Sequence, residues 1–328
     1  MLATAVPLIA EEGPGTEPRR GPVAIHDEHL LAQLRFTQTA LSPDTLGRGR
    51  WSIATAFLWS NSFSWTQDEI GETPFDRRFL IDGETRTLDL SLARGLTDAV
   101  DVGLRLPFRW RGGGVLDGLI ETWHRIGGFP NNSRQRFARD ALRVLGRTPD
   151  GRPAGWAGEA GAGLGRVELD ARFSPWRGGG WRAGLVGRMA LPTGGGAYSA
   201  AGLDAGLQAV AARALGTRFD FYLGAGAAFF GQRSLEGIEY ARARTSGYLV
   251  VEWRPGGRIS LLAELSAASR LVTGLAAYDG AATYLRLGAK WDLSPRLALE
   301  GGFSENLLGQ QVTTDFGVFL GLARRFGQ

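Results

Sequence analysis

The sequence predicts an all-β chain, closed into a transmembrane up-and-down antiparallel β-barrel of about 12 strands. Three observations predict it. After Arg50 the chain divides into about twelve segments of roughly ten residues, each alternating apolar and polar side chains. The joints between segments alternate in length. Gly95–Asp98, Arg177–Gly180, Leu215–Thr217, Pro255–Gly257 and Leu293–Pro295 are tight turns, whereas 61–83, 111–162, 192–201, 230–246, 269–281 and 305–312 are long. Short turns on one side, long loops on the other and both termini on the short-turn side describe a bacterial outer-membrane barrel. Finally, mean hydropathy is −0.10 and no run of 18 apolar residues occurs. That excludes membrane helices but not a barrel, in which only every second residue faces lipid.

Composition narrows the chemistry. Glycine contributes 49 of 328 residues, against an average usage of about 7%. The glycines fall at turns and inside strands, where they relieve bends and leave room in a lumen. Without cysteine there is no thiol nucleophile, disulfide framework or cysteine zinc site. Ten tryptophans and seventeen phenylalanines suit interfacial girdles. The net charge of +4 and pI near 9.8 rest on arginine rather than lysine. They imply attraction to lipopolysaccharide phosphates or anionic solutes. No basic cluster with interleaved aromatics points to nucleic acid.

In chain order, residues 1–10 are apolar and resemble the tail of a signal peptide without its basic start. Residues 11–48 carry prolines, charges and two histidines. They are expected to form a periplasmic N-terminal segment that can tuck into the barrel, with Leu30–Thr39 pairing briefly as a strand. Residues 49–328 form the barrel. Its third segment sets Val102, Leu104, Leu106 and Phe108 against Asp101, Arg105 and Arg109. The fourth sets Val167, Leu169, Ala171 and Phe173 against Arg166, Glu168, Asp170 and Arg172. The seventh alternates Phe219, Phe221 and Leu223 with Asp220, Tyr222 and Gly224, and the tenth alternates Leu285, Leu287 and Trp291 with Arg286 and Lys290. A soluble sandwich also alternates, but its strands average about 5–6 residues. A charged face opposite an apolar one makes sense when the outside is lipid. The last strand, Thr314 to Phe326, puts Phe316, Val318, Leu320, Leu322 and Phe326 outward. It resembles the C-terminal signal read by barrel assembly machinery. Arg324 interrupts its apolar face, near enough to the rim to snorkel to water.

Two groups of residues are candidates for chemistry. The loop 111–162 carries a helical pattern over Val115–Ile126. Leu116, Leu119, Ile120, Trp123 and Ile126 share one side, and Asp117, Glu121 and His124 share the other. The acidic face could bind a metal or do acid–base work, or simply face water while the helix packs on the barrel mouth. The helix is expected at the extracellular rim, apolar side toward lipid and acidic side toward the mouth. His26-Asp27-Glu28-His29 is a weaker candidate, read as a solvated stretch rather than a metal site. The expected lumen lining is Asp101, Arg105, Arg109, Glu168, Asp170, Arg172, Arg188, Arg286, Lys290 and Glu300, with Asp89 and Glu264. No phosphate loop, nucleophile elbow or dinucleotide fingerprint occurs, so no cofactor and no metal is expected.

Several stretches carry a resemblance. They are Gly49-Arg50-Trp51, Leu80-Ile81-Asp82-Gly83-Glu84-Thr85, Leu104-Arg105-Leu106-Pro107-Phe108, and Asp117-Gly118 with Glu121-Thr122-Trp123-His124. Gly163-Leu164-Gly165, Leu191-Pro192-Thr193-Gly194 and Phe303-Ser304-Glu305-Asn306 add to them. Together they resemble the domain-of-unknown-function 3187 family, predicted outer-membrane barrels of Gram-negative bacteria. The resemblance implies the fold and the outer-membrane compartment, and leaves the activity open.

The functional expectation is a narrow, porin-like channel for small polar solutes, embedded among outer-membrane lipids and lipopolysaccharide. Two alternatives stand beside it. One is a structural or interaction barrel. The other is a lipid-modifying enzyme relying on His124, with Ser133 or Ser304 as its hydroxyl. The assignment of faces is directly testable. Leu169→Arg should cost roughly 2–4 kcal/mol of bilayer folding stability, because an arginine replaces a lipid-facing residue near mid-membrane. Folding titrations into vesicles measure this, and unchanged stability would reverse the faces.

Overall fold

The computed structural model describes residues 20–23, 25–65, 79–128, 134–147, 153–157, 160–195, 198–235, 237–273, 280–308 and 312–327. The signal-like stretch 1–10 lies outside them.

The chain opens with strands β1 (Trp51–Trp65), β2 (Phe79–Gly95) and β3 (Val100–Gly112), followed by helix α1 (Asp117–Gly127). Short strands β4 (Arg143–Arg147), β5 (Pro153–Ala157) and β6 (Gly161–Leu164) lead into β7 (Glu168–Gly178), β8 (Trp181–Ala190), β9 (Asp204–Leu215) and β10 (Phe219–Phe230). After the small β11 (Ser234–Leu235) and β12 (Ile238–Tyr240) come β13 (Ala243–Gly256), β14 (Ile259–Ala268), the small β15 (Val272–Thr273), β16 (Ala282–Ser294), β17 (Leu297–Leu308) and β18 (Phe316–Phe326).

Twelve staves close the barrel, with β6 and β7 pairing in turn along β3 as one stave. Every neighbour is antiparallel, and β1 pairs with β18 from Trp51↔Phe326 to Asn61↔Phe316. Among the described residues, closure leaves the twelve staves no open edge, the condition for strands to cross a membrane. The five tight connections are the expected ones and share a rim with both ends of the barrel chain. Alternation places Leu169, Phe173, Leu223, Leu265, Leu320 and Leu322 on the exposed outer face, between buried inner residues.

The long loops hold more structure than a helix. Strands β4 and β5 form a hairpin that continues the sheet beside Phe79–Asp82, at the extracellular end of β2. Strands β11, β12 and β15 form a separate small sheet. Their sequences are too short to show a period. Helix α1 starts two residues later than the pattern suggested. Gly128 ends it in the left-handed region, at φ 71°, and donates its N–H to the His124 carbonyl.

The N-terminal segment is tucked into the barrel over its described residues, 20–23 and 25–48. They run inside the barrel, rising from Gly21 near the periplasmic rim to a 3₁₀ turn at Ala32–Leu34. From there they descend to Arg48 and enter β1. Leu30–Thr39 forms no strand: the side chains of Ser62, Asp204, Arg109 and Gln208 take several of its backbone groups, and the turn bonds its own carbonyls. The turn is wholly buried, and Leu30, Leu31, Leu34 and Phe36 sit in an apolar cluster with Phe79, Ile81, Leu142, Val144, Phe230, Ile238, Tyr240 and Val272. Glycines make room for it. A Cβ at Gly206 would lie 2.4 Å from the Phe36 ring, and one at Gly83 would meet Leu142 at 2.6 Å and Leu30 at 3.2 Å.

Phe36 is fully buried, so Phe36→Ala should loosen the turn by about 3–5 kcal/mol. Amide exchange of residues 30–40 should rise while the barrel strands stay protected. Equal loosening of both would show that segment and barrel form one cooperative unit.

Candidate functional site

The site is the lumen together with the segment that fills it. On the rising limb, Glu252 accepts the Gly21 N–H (3.0 Å) and the Tyr222 hydroxyl (2.8 Å). Lys290 donates to the Gly21 carbonyl and lies 4.0 Å from Glu300. His26 lies 3.9 Å from Glu168. Asp27 pairs with Arg244 (3.2 Å) and accepts the Tyr284 hydroxyl (2.7 Å). Thr87 donates to Glu28 (2.6 Å). The sequence His26-Asp27-Glu28-His29 is therefore not a solvated stretch. It is buried against the wall, and its two carboxylates are held by wall residues.

At the turn, Gln33 donates to Thr85 (3.1 Å) and its carbonyl accepts from Arg109 (2.5 Å). Arg35 stacks over the Tyr240 ring at 4.2 Å and lies 3.6 Å from Asp204. Asp204 in turn accepts the Phe36 N–H (3.2 Å). On the falling limb, Gln38 donates to the Leu207 and Ala227 carbonyls (both 3.0 Å). Gln208 donates to the Thr39 carbonyl (3.0 Å), Tyr248 to Leu41 (2.7 Å) and Arg172 to Asp44 (2.6 Å). Asp101 accepts the Leu46 N–H (2.8 Å).

The candidate lumen residues therefore play different parts. Arg105 bridges two wall carboxylates, Asp89 and Glu168, both at 2.7 Å. Arg286 pairs with Glu264 across β14 and β16. Asp101, Arg109, Arg172 and Lys290 hold the inner segment, and Arg188 reaches Thr39 at 3.3 Å. Asp170 and Glu300 line a charged cavity of ≈ 230 Å³ on the periplasmic side, beside Asp89, Asp101, Arg172 and Arg188. Sequence reasoning missed Asp204, Asp27 and Glu28 as members of this network. Arg166 is buried at the end of a loop and donates to the Ala190, Ala200 and Gly202 carbonyls (2.6, 2.6 and 2.5 Å).

Above the mouth, α1 is pinned by a second buried network. Glu84 accepts the N–H groups of Val115 (2.7 Å) and Leu116, and the Trp59 indole N–H (2.7 Å). A carboxylate there complements the positive end of the helix dipole. Asp117 pairs with Arg134 and accepts from Asn61 (3.2 Å) and the Asp140 N–H (2.9 Å). Arg134 also reaches Asp315 (2.8 Å). Asp117 is therefore not turned to an open mouth but clamped to β1 and to the start of β18. Glu121 pairs with the exposed Arg139, whose pKa it holds above the ordinary value by hydrogen bond and charge. His124 is buried beneath the helix. Of its proposed partners, Ser304 faces inward on β17 opposite Arg286, and Ser133 lies outside the described residues. Val115, Leu119, Trp123 and Ile126 are exposed, Ile126 by 77%.

A closed twelve-stranded antiparallel barrel with short turns at one rim and long, structured loops at the other is the fold of outer-membrane channels. The crystal structure of the COG4313 outer membrane channel from Pseudomonas putida F1 is similar, with a TM-score of 0.56 at 15% identity, over 86% of this chain and 97% of that one. The KdgM porin gives a TM-score of 0.45 at 7% identity, over 84% and 99%. No curated protein matches the sequence. Residues 1–326 match the family described as Protein of unknown function (DUF3187), and the chain belongs to that family.

The two acidic residues of α1 should separate on substitution. Arg134→Ala leaves Asp117 and Asp315 buried without their cation, and should cost about 3–5 kcal/mol. Glu121→Gln, whose partner is exposed, should leave stability nearly unchanged. Thermal unfolding of the refolded barrel, with proteolysis of the 111–162 loop, distinguishes them.

Proposed function

We propose that the protein is a gated outer-membrane channel for small polar solutes, and that the inner segment 20–48 is the gate. One observation carries this reading: residues 20–48 fill the lumen as irregular chain that runs on through Arg48 into β1, and over the described residues side-chain contacts hold it to the wall. Along both limbs the segment is held mainly by single hydrogen bonds and ion pairs. Each such hydrogen bond is worth only about 0.5–1.5 kcal/mol net. Only the apolar turn under the extracellular loops resembles a permanent core. Withdrawing the segment would expose a wall of Arg105, Arg109, Arg188, Asp89, Glu168 and Arg286. That lining suits small polar solutes of either sign.

The membrane reading extends to partners. The exposed apolar side of α1, beside Arg125 and Arg136, suits the acyl chains and phosphates of lipopolysaccharide. The C-terminal strand suits recognition by the barrel assembly machinery. The filled lumen also favours a second reading, a structural or interaction barrel that never opens.

Conductance in planar bilayers separates the two. The full chain should be closed or flicker rarely, and a variant lacking residues 1–46 should conduct steadily, at least tenfold more. Heat-modifiable migration confirms that the variant has folded. A folded deletion that stays silent would remove the channel reading, and a full chain that conducts as well as the deletion would remove the gate.

A further inference from the structure

The outer wall carries a groove of ≈ 640 Å³ lined by Ile53, Thr55, Ser294, Pro295, Arg296, Leu297, Leu322 and Arg324. It lies across the closing seam of the barrel, at the periplasmic end. The register explains its shape. Arg324 stands between Ile53 of β1 and Leu297 of β17, and Thr55 stands beside Leu322. The small Thr55 leaves a depression in an otherwise bulky apolar surface. The turn between β16 and β17 closes its lower end with Pro295 and Arg296.

We propose that this groove is a binding site for one glycerophospholipid of the inner leaflet, with its phosphate between Arg296 and Arg324 and an acyl chain along Ile53, Leu297 and Leu322. Charge complementarity selects this occupant. Arg324 and Arg296 are both exposed, and neither makes an ion pair among the described residues. Arg324 lies on β18 and Arg296 in the adjoining turn before β17, where the Arg325 N–H meets the Arg296 carbonyl at 2.8 Å. Two guanidiniums so placed can grip one phosphate, with the planar donor geometry that favours arginine for phosphates. The depth also agrees. Arg324 lies two residues inside the pair Trp51↔Phe326, which marks the rim, and Arg94 stacks on Trp51 at 4.9 Å. Arginine is nearly cost-free on the lipid face at that level, unlike at mid-membrane. The site also gives a purpose to the break in the apolar row of the last strand.

Native mass spectrometry of the full chain tests the proposal, with phosphatidylglycerol, phosphatidylcholine and diacylglycerol as separate probes. The wild type should retain one phosphatidylglycerol or phosphatidylcholine in preference to diacylglycerol, because the shared phosphate is the handle. Arg296→Gln with Arg324→Gln should weaken phospholipid retention at least tenfold. Arg218→Gln with Arg258→Gln, at two other periplasmic turns, should not. Arg324→Leu, which restores the apolar row and keeps the strand foldable, should also lose the preference. Retention unaffected by either groove variant, or equal retention of diacylglycerol, would overturn the site and leave Arg324 as a residue that only reaches for water. These outcomes do not depend on whether the lumen opens.

Discussion

The structure depends on one constraint: a twelve-stranded barrel encloses more space than its own side chains fill, and this wall is charged. Asp101 and Arg109 of β3, Glu252 of β13 and Lys290 of β16 point into that space. In a wide barrel, water would solvate them. Here a length of the same chain does so, offering carbonyls to arginine and lysine and N–H groups to aspartate and glutamate. Buried polar groups are costly only when unpaired, so the segment and the wall each make the other tolerable. That mutual need explains why the segment threads the lumen as irregular chain. Its backbone is satisfied by side chains, and a regular element would leave those side chains without partners.

The polar contacts place the segment, and the apolar turn anchors it. Burying a leucine or phenylalanine side chain is worth about 1.5–3 kcal/mol, more than a typical net hydrogen bond. Leu30, Leu31, Leu34 and Phe36 are therefore the strongest hold. Their partners come from the loops as much as from the barrel: Leu142 and Val144 from the hairpin after α1, and Ile238, Tyr240 and Val272 from the small sheet. The extracellular loops thus form half of the cluster that covers the turn. Asn61 and Ser62 sit side by side on β1, the first bound to Arg134 and Asp117 of the loop, the second to the Leu30 N–H at 3.4 Å. Movement of the loop and movement of the turn share this stretch of β1. Anything that displaced the loop from outside would act on the turn through contacts already present.

Much of this was legible in the sequence, for reasons local to it. Period-two alternation separates lipid-facing from inward residues without reference to any partner strand, so Leu169 against Glu168 or Leu285 against Arg286 could be sorted at sight. Turn chemistry is equally local, and Gly95–Asp98 or Arg177–Gly180 announces a tight reversal. The amphipathic helix was visible because a 3.6-residue period shows within twelve residues. Its exposed side, with Leu119, Trp123 and Ile126, also follows from that pattern once a lipid surface is at hand. The small loop strands β11, β12 and β15 were not visible, since two or three residues carry no period.

The sequence by itself determined the barrel, the faces of its strands and the two rims, because each follows from spacing along a single strand or turn. Tertiary structure alone decided what fills the lumen and what the charged residues do there. Asp27 meets Arg244 and Tyr284 across more than two hundred residues, and Arg134 joins Asp117 to Asp315 across most of the barrel. Arg20–Arg48 could be read as able to tuck inside, but nothing local to it decides between an inner segment and a solvated arm, since its prolines, charges and short apolar run suit either. Only closure of the twelve staves creates a cavity of the right width and charge, and that cavity makes the interior the place where those groups find partners.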